Sequence, residues 1–137
     1  MVVTIAENTF KGIKIHAEKG YPHEVCGVLI GKGDEITEYR ECNNLNTTRA
    51  HDRYELDPVS FNTADQWARS KNLEIVGIYH SHPDHPSRPS ETDRERAWPG
   101  WFYMILSIQK GEFDNFRTWV LDDSDSKFKE YNISIRG

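Results

Sequence analysis

The apolar run Leu73 to Tyr79 passes without a break into His80-Ser81-His82-Pro83, and this junction constrains the fold more than any other part of the chain. Ile75, Val76, Ile78 and Tyr79 read as a strand. Successive side chains on a strand alternate faces, so His80 and His82 share one face and Ser81 takes the other. Pro83 has no amide hydrogen to give to a central ladder, so the strand is expected to stop where the second histidine is placed. A loop through His85, Pro86 and Pro89 then leads to Ser90-Glu91-Thr92-Asp93. These four residues read as a helix start, with Ser90 as N-cap and Asp93 at N3 in a variant of the capping box.

Two imidazoles on one face can share a cation, and Asp93, fixed in a first helical turn, brings a carboxylate within reach. Two histidines and a carboxylate, with the fourth position left to water, compose a catalytic zinc site rather than a closed structural one. Water on such an ion is acidified toward neutrality, and a further carboxylate must move the protons. Glu24 is the candidate. Each part alone has an ordinary reading: a chance histidine pair, a helix cap, an exposed acid at a strand entrance. Their joint occurrence favours the metal. His85 is a spare imidazole, since three ligands suffice for an open site. Cys26 is a candidate nucleophile or ligand, although within an apolar run a buried small side chain is the commoner outcome. Trp98 and Trp101, beside Pro99-Gly100, read as core or hinge.

The pattern of Glu24 ahead of Cys26-Gly27-Val28-Leu29-Ile30-Gly31, then His80-Ser81-His82-Pro83, then Ser90 and Asp93, resembles the JAMM (MPN+) zinc metallopeptidase family. The similarity runs from Glu7 to about Leu121. The resemblance implies that His80, His82 and Asp93 bind Zn2+, that Glu24 holds the catalytic water and that Ser90 supports the oxyanion. It implies an α/β fold of the cytidine deaminase-like kind, a mixed β-sheet packed between helices. It also implies hydrolysis of an amide or isopeptide bond after the C-terminal Gly-Gly of a ubiquitin-like or sulfur-carrier protein. With only short connections at Asn43 to Arg53 and Ala97 to Gly100, the chain is similar to the small stand-alone prokaryotic members. Relatives without the metal ligands serve as non-catalytic interaction modules, the main alternative; here every ligand is present. A nucleobase deaminase would need a Pro-Cys-x-x-Cys pair, which this chain lacks.

At 137 residues the chain is expected to form one domain, 1–137, around one core. A net charge of −5 and the lack of a basic run argue against nucleic acid as a partner. The apolar runs are too short to span a bilayer and no basic-then-apolar leader opens the chain, so no membrane role and a cytoplasmic location are expected. Two cysteines in such a chain are expected to stay reduced.

Elsewhere the elements follow from spacing. Val2 and Val3 open with a short strand. Ala6, Phe10, Ile13 and Ala17 recur at helical spacing, with Thr4 and Glu7 as a capping box and Gly20 and Pro22 as the stop. Val25 to Ile30 reads as a central strand, paired antiparallel with Glu35 to Cys42 across a Gly31-Lys32-Gly33 turn. A polar loop, Asn43 to Arg53, could line a groove, and Tyr54 to Leu56 returns as a short strand. Asp57-Pro58 opens a helix to about Ser70 with Phe61, Ala64, Trp67 and Ala68 on its apolar face. Trp101 to Ile108, Phe116 to Leu121 and Lys127 to Ile135 read as three closing strands.

Overall fold

The computed structural model describes residues 3–137. Val2 of the expected opening strand lies outside the described residues; Val3 begins β1 (Val3–Ala6), which runs directly into α1 (Glu7–Gly20). The expected Thr4–Glu7 capping box does not form. Thr4 is committed to β1, where it pairs with Glu35 and Ser134, and the helix N-cap is Ala6, which makes no side-chain cap bond. Here strand pairing outweighs the local cap signal. The antiparallel pair is β2 (Cys26–Lys32) and β3 (Glu35–Cys42), as expected. The segment Tyr54 to Leu56 is no strand: only an isolated bridge joins Asn44 to Leu56. Next, α2 (Pro58–Ser70) opens on Asp57, whose side chain accepts from the Val59 amide.

The histidine strand is β4 (Glu74–Pro83), followed by the short α3 (Glu91–Arg96), β5 (Phe102–Gln109) and β6 (Glu112–Asp122). The expected last strand divides into β7 (Lys127–Tyr131) and β8 (Ile133–Arg136). Among the described residues eight strands form one mixed sheet in the order β7-β6-β5-β4-β2-β3-β1-β8. Thus Asn132 is the only residue between two strands at opposite ends of that order. A single residue can join them only if the sheet curls until its ends adjoin. The curl wraps α1: Phe10, Ile13 and Ala17 pack with Val3, Ile5, Leu29, Ile36, Tyr79, Met104 and Leu106. On the outer face α2 sets Ala64 and Ala68 against Val28, Ile30 and Ile75. The mixed sheet between helices is therefore the architecture expected. Among the described residues no helix is long and apolar enough to cross a membrane.

The pairing of β2 with β4 decides which way the histidines face. Its register shifts between Leu29 and Ile30, which pair with Gly77 and Ile75 and leave Val76 as the extra residue on β4. Such a bulge changes which face later side chains take. Beyond it Tyr79 lies in the α1 core, and its hydroxyl meets His16 Nδ1 at 2.7 Å. His80 and His82 consequently emerge on the α2 side. Gly77 lies at this point, and a Cβ there would come 2.1 Å from the Phe102 carbonyl oxygen on β5. Gly77→Ala is expected to lower unfolding free energy by about 3 kcal/mol, since the obstruction is backbone that side-chain motion cannot relieve. Urea denaturation checks this; a loss below about 0.5 kcal/mol would show that the two strands separate easily.

Candidate metal centre

The structure brings four of the five expected residues into one group: the ligating atoms of Glu24, His80, His82 and Asp93 all lie within 4.8 Å of one another. They arrive on three separate supports. Glu24 stands in the connection between α1 and β2, His80 and His82 come from the end of β4, and Asp93 from the first turn of α3. All four are buried. Ser90, the fifth, is exposed and lines the adjoining cavity of about 360 Å³ together with Glu24 and His82.

Hydrogen bonds fix the two rings. His82 Nδ1 lies 2.8 Å from the Pro86 carbonyl oxygen, which can only accept, so Nδ1 carries the proton. The lone pair of Nε2 then faces Asp93 Oδ2 at 3.1 Å. His80 Nδ1 meets Glu24 Oε1 at 3.0 Å, and its Nε2, buried without a hydrogen-bond partner, lies 3.7 Å from Asp93 Oδ1. With both Nδ1 atoms protonated, two imidazole lone pairs and a carboxylate converge with no donor between them. A buried arrangement of acceptors is costly unless a cation or protons occupy the centre. The residues therefore fit a metal ion, on an orphaned buried nitrogen and on the nature of the donors.

The electrostatics agree. Burial alone would raise the Asp93 carboxyl, but the neighbouring His80 and His82 rings and the Ser90 amide hold it well below the usual carboxylate range. For His80 burial acts to lower the pKa, and the Asp93 and Glu24 carboxylates more than offset it, so the net shift is upward. This is a pocket built for positive charge.

The loops that carry these groups are tied down. The expected Ser90–Asp93 capping box forms: Asp93 N donates to Ser90 Oγ at 3.0 Å and Ser90 N donates to Asp93 Oδ2 at 2.9 Å. The same carboxylate thus caps the helix and faces the histidines. Ser81, on the opposite face of β4, accepts from Val25 N at 2.9 Å and holds the entrance to β2 against the histidine strand. The loop after Pro83 is anchored where the Ser107 hydroxyl donates to the His85 carbonyl at 2.6 Å and Trp119 Nε1 to the Ser87 carbonyl at 3.1 Å.

Two residues had no legible signal in the sequence. Asn44 donates from Nδ2 to the Glu24 carbonyl at 2.9 Å and to the Arg53 carbonyl at 3.1 Å, while its Oδ1 accepts from the amides of Asn46 and Glu55. Since Glu24 N also donates to the Ala50 carbonyl, the polar loop clamps the main chain of the acid on both sides. Tyr54, expected in a strand, instead stacks on His80 with ring centroids 4.5 Å apart and planes at 27°. The expectation that the polar loop lines a groove holds through Asp52 and Arg53.

His85 lines the cavity but its ring stands outside the four-residue group. Cys26 pairs with His80 across β2 and β4, yet its thiol faces the carbonyls of Cys42 and Asn43 and is also outside the group. Both cysteines are free and buried. Burial pushes the Cys26 thiol far up, and burial together with Asp57 raises that of Cys42 to about 11, so thiolate is scarce at neutral pH. Iodoacetamide at pH 8 is therefore expected to leave both unmodified in the folded protein and to alkylate both in urea, as read by intact mass. Rapid labelling of Cys26 in the native state would show that solvent reaches it. Trp101 stacks on Phe61 beside α2 as a core residue would, whereas Trp98 is not core: it is 68% exposed.

The chain is similar to known proteins in both sequence and fold. Residues 7–122 match the family Prok-JAB, the prokaryotic homologs of the JAB domain. The chain belongs to this family. It is 39% identical to the desampylase of Haloferax volcanii over 112 residues, 77% of this chain and 80% of that one. It is 28% identical to the CysO-cysteine peptidase of Mycobacterium tuberculosis over 125 residues, 89% and 84% of the two chains. A solution structure of a Desulfitobacterium hafniense protein superposes with a TM-score of 0.82 at 27% identity, over 99% of this chain and 93% of the other. A JAB1/MPN domain protein from Archaeoglobus fulgidus shares the fold, with a TM-score of 0.62 at 18% identity over 98% and 97%. The chain is a hydrolase of the JAMM type.

Proposed function

We propose that the protein is a zinc-dependent peptidase or isopeptidase that cleaves the amide bond following the C-terminal Gly-Gly of a ubiquitin-like or sulfur-carrier protein. The observation that carries this reading is the convergence of His80 Nε2, His82 Nε2 and the Asp93 carboxylate with no donor between them. The names of the desampylase and CysO-cysteine peptidase relatives support the substrate class.

In this reading His80, His82 and Asp93 hold the ion. When bound, it supplies Lewis acidity that makes water nucleophilic near neutral pH. Glu24 takes the proton from the attacking water and returns it to the departing amine. The new C–O bond leaves the carrier with a free Gly-Gly carboxylate, and the broken C–N bond releases the amine. Ser90 Oγ accepts from the Asp93 amide, so its own O–H remains free to donate to the developing oxyanion at the cavity wall. The anchored loops hold these groups in place, as transition-state stabilisation requires. Two free thiols fit the reducing cytoplasm where we place this reaction.

The test is a panel of ubiquitin-like and sulfur-carrier proteins, each extended after Gly-Gly by one residue or a lysine-linked peptide, incubated with zinc-loaded protein and followed by intact mass. A product ending at Gly-Gly, absent with chelator, supports the reading and names the carrier. Intact substrates throughout, with zinc bound, would overturn the substrate class while leaving the metal centre to be judged separately.

A further inference from the structure

The chain has nine arginines, and their side-chain partners divide them sharply. Arg49, Arg69, Arg94, Arg117 and Arg136 are ion-paired, Arg40 lies over the ring of Trp67, and Arg96 donates to the Tyr54 carbonyl. Among the described residues only Arg53 and Arg88 have no side-chain partner, and both line the cavity beside Glu24 and His82. They reach it from separate segments: Arg53 from the loop between β3 and α2, Arg88 from the loop between β4 and α3.

The acids in the same lining form no ion pair with them, although Asp52 feels the charge of Arg53. Asp52 is engaged by Arg49 and approached by His51, and the Glu24 carboxylate is held by His80. An otherwise acidic protein thus presents two unpaired guanidinium groups at the mouth of its site. Guanidinium is the side chain best shaped to take a carboxylate through parallel N–H bonds. In a partly enclosed cavity such a pair also concentrates anions.

We infer that Arg53 and Arg88 form a carboxylate subsite for the leaving group, so that the preferred substrate carries a free amino acid after Gly-Gly, recognised by its α-carboxylate, rather than an internal lysine of a second protein. This rests on the reading of the site as a Gly-Gly hydrolase and names its leaving group. Arg53 and Arg88 are specificity residues here, with no part in proton transfer.

The experiment uses zinc-loaded protein and a carrier ending Gly-Gly-Ala, prepared as the free acid and as the carboxamide, with a third carrier that has an added glutamate upstream of Gly-Gly and the carboxamide end. The free acid is expected to show about tenfold higher kcat/KM than the amide, carried by KM, consistent with one lost charge-assisted contact. That ratio falls toward one in R53Q/R88Q, recovers in part in R53K/R88K and shrinks as salt rises. Equal cleavage of acid and amide overturns the subsite while the hydrolase reading stands; a preference that follows the upstream glutamate does the same and assigns the arginines to the carrier tail. If no carrier is cleaved, the Gly-Gly substrate class fails, and calorimetric binding of Gly-Gly-Ala acid and amide to metal-loaded Glu24→Gln protein decides the subsite alone. Tighter binding of the acid, lost in R53Q/R88Q, retains it; equal binding or none overturns it.

Discussion

His80→Ala is expected to abolish metal binding, lowering affinity by at least about 100-fold, and with it all hydrolysis. Replacing a carboxylate or carbonyl that merely orients a ligand costs 10- to 100-fold in many metal sites, and removing the ligand itself costs more. His80 serves three neighbours at once. Its Nε2 is the orphaned acceptor, its Nδ1 holds Glu24, and its ring supports Tyr54. On the proposed assignment the substitution therefore removes a ligand, and it frees the acid and opens a gap beside an aromatic ring. Stability gives an independent readout. Zinc present at 1,000 times its dissociation constant stabilises a folded protein by about 4 kcal/mol, so it should raise the melting temperature of the wild type and leave His80→Ala unmoved. His85→Ala is the control, because that ring lies outside the four-residue group. Retained zinc in His80→Ala would mean that the donors do not act together.

Glu24→Gln should leave the metal in place and slow hydrolysis by roughly 10²- to 10⁴-fold, the usual worth of a positioned acid–base group. The substitution is informative because it is nearly isosteric. A glutamine oxygen can still accept from His80 Nδ1, and the main chain of residue 24 keeps its bonds to Ala50 and Asn44. Only the capacity to carry a proton is lost. The loss should fall on kcat and kcat/KM together, since the group acts in the transition state. Unchanged turnover would assign Glu24 solely to orienting the His80 ring, and loss of zinc would make it a ligand.

The parts of the site that were legible in the sequence are those set by short-range rules. His80 and His82 share a face because a strand has a period of two, and Pro83 ends β4 because it has no amide to donate. The Ser90–Asp93 box and the Asp57-Pro58 start of α2 are caps, satisfied within three residues. What was not legible depends on partners distant in the chain. Thr4 and Glu7 carry a cap signal, but β1 is claimed by β3 and β8. Lys127 to Ile135 has no proline or glycine to divide it, and only the closure of the curled sheet sends its two halves to opposite edges. Asn44 is one polar residue in a polar loop until Glu24, Arg53 and Glu55 surround it. The bulge at Val76 is equally silent in sequence, although it decides that the histidines emerge on the α2 side.

The most direct measurement is the long-range ¹H–¹⁵N NMR spectrum of the histidine side chains, recorded without metal and after one equivalent of zinc. His80 and His82 are expected to keep protonated Nδ1 atoms, donating to Glu24 and Pro86, and both Nε2 resonances to shift to metal-bound values while His85 does not move. Coordination through Nδ1, or a response from His85 in place of His80, would contradict that expectation.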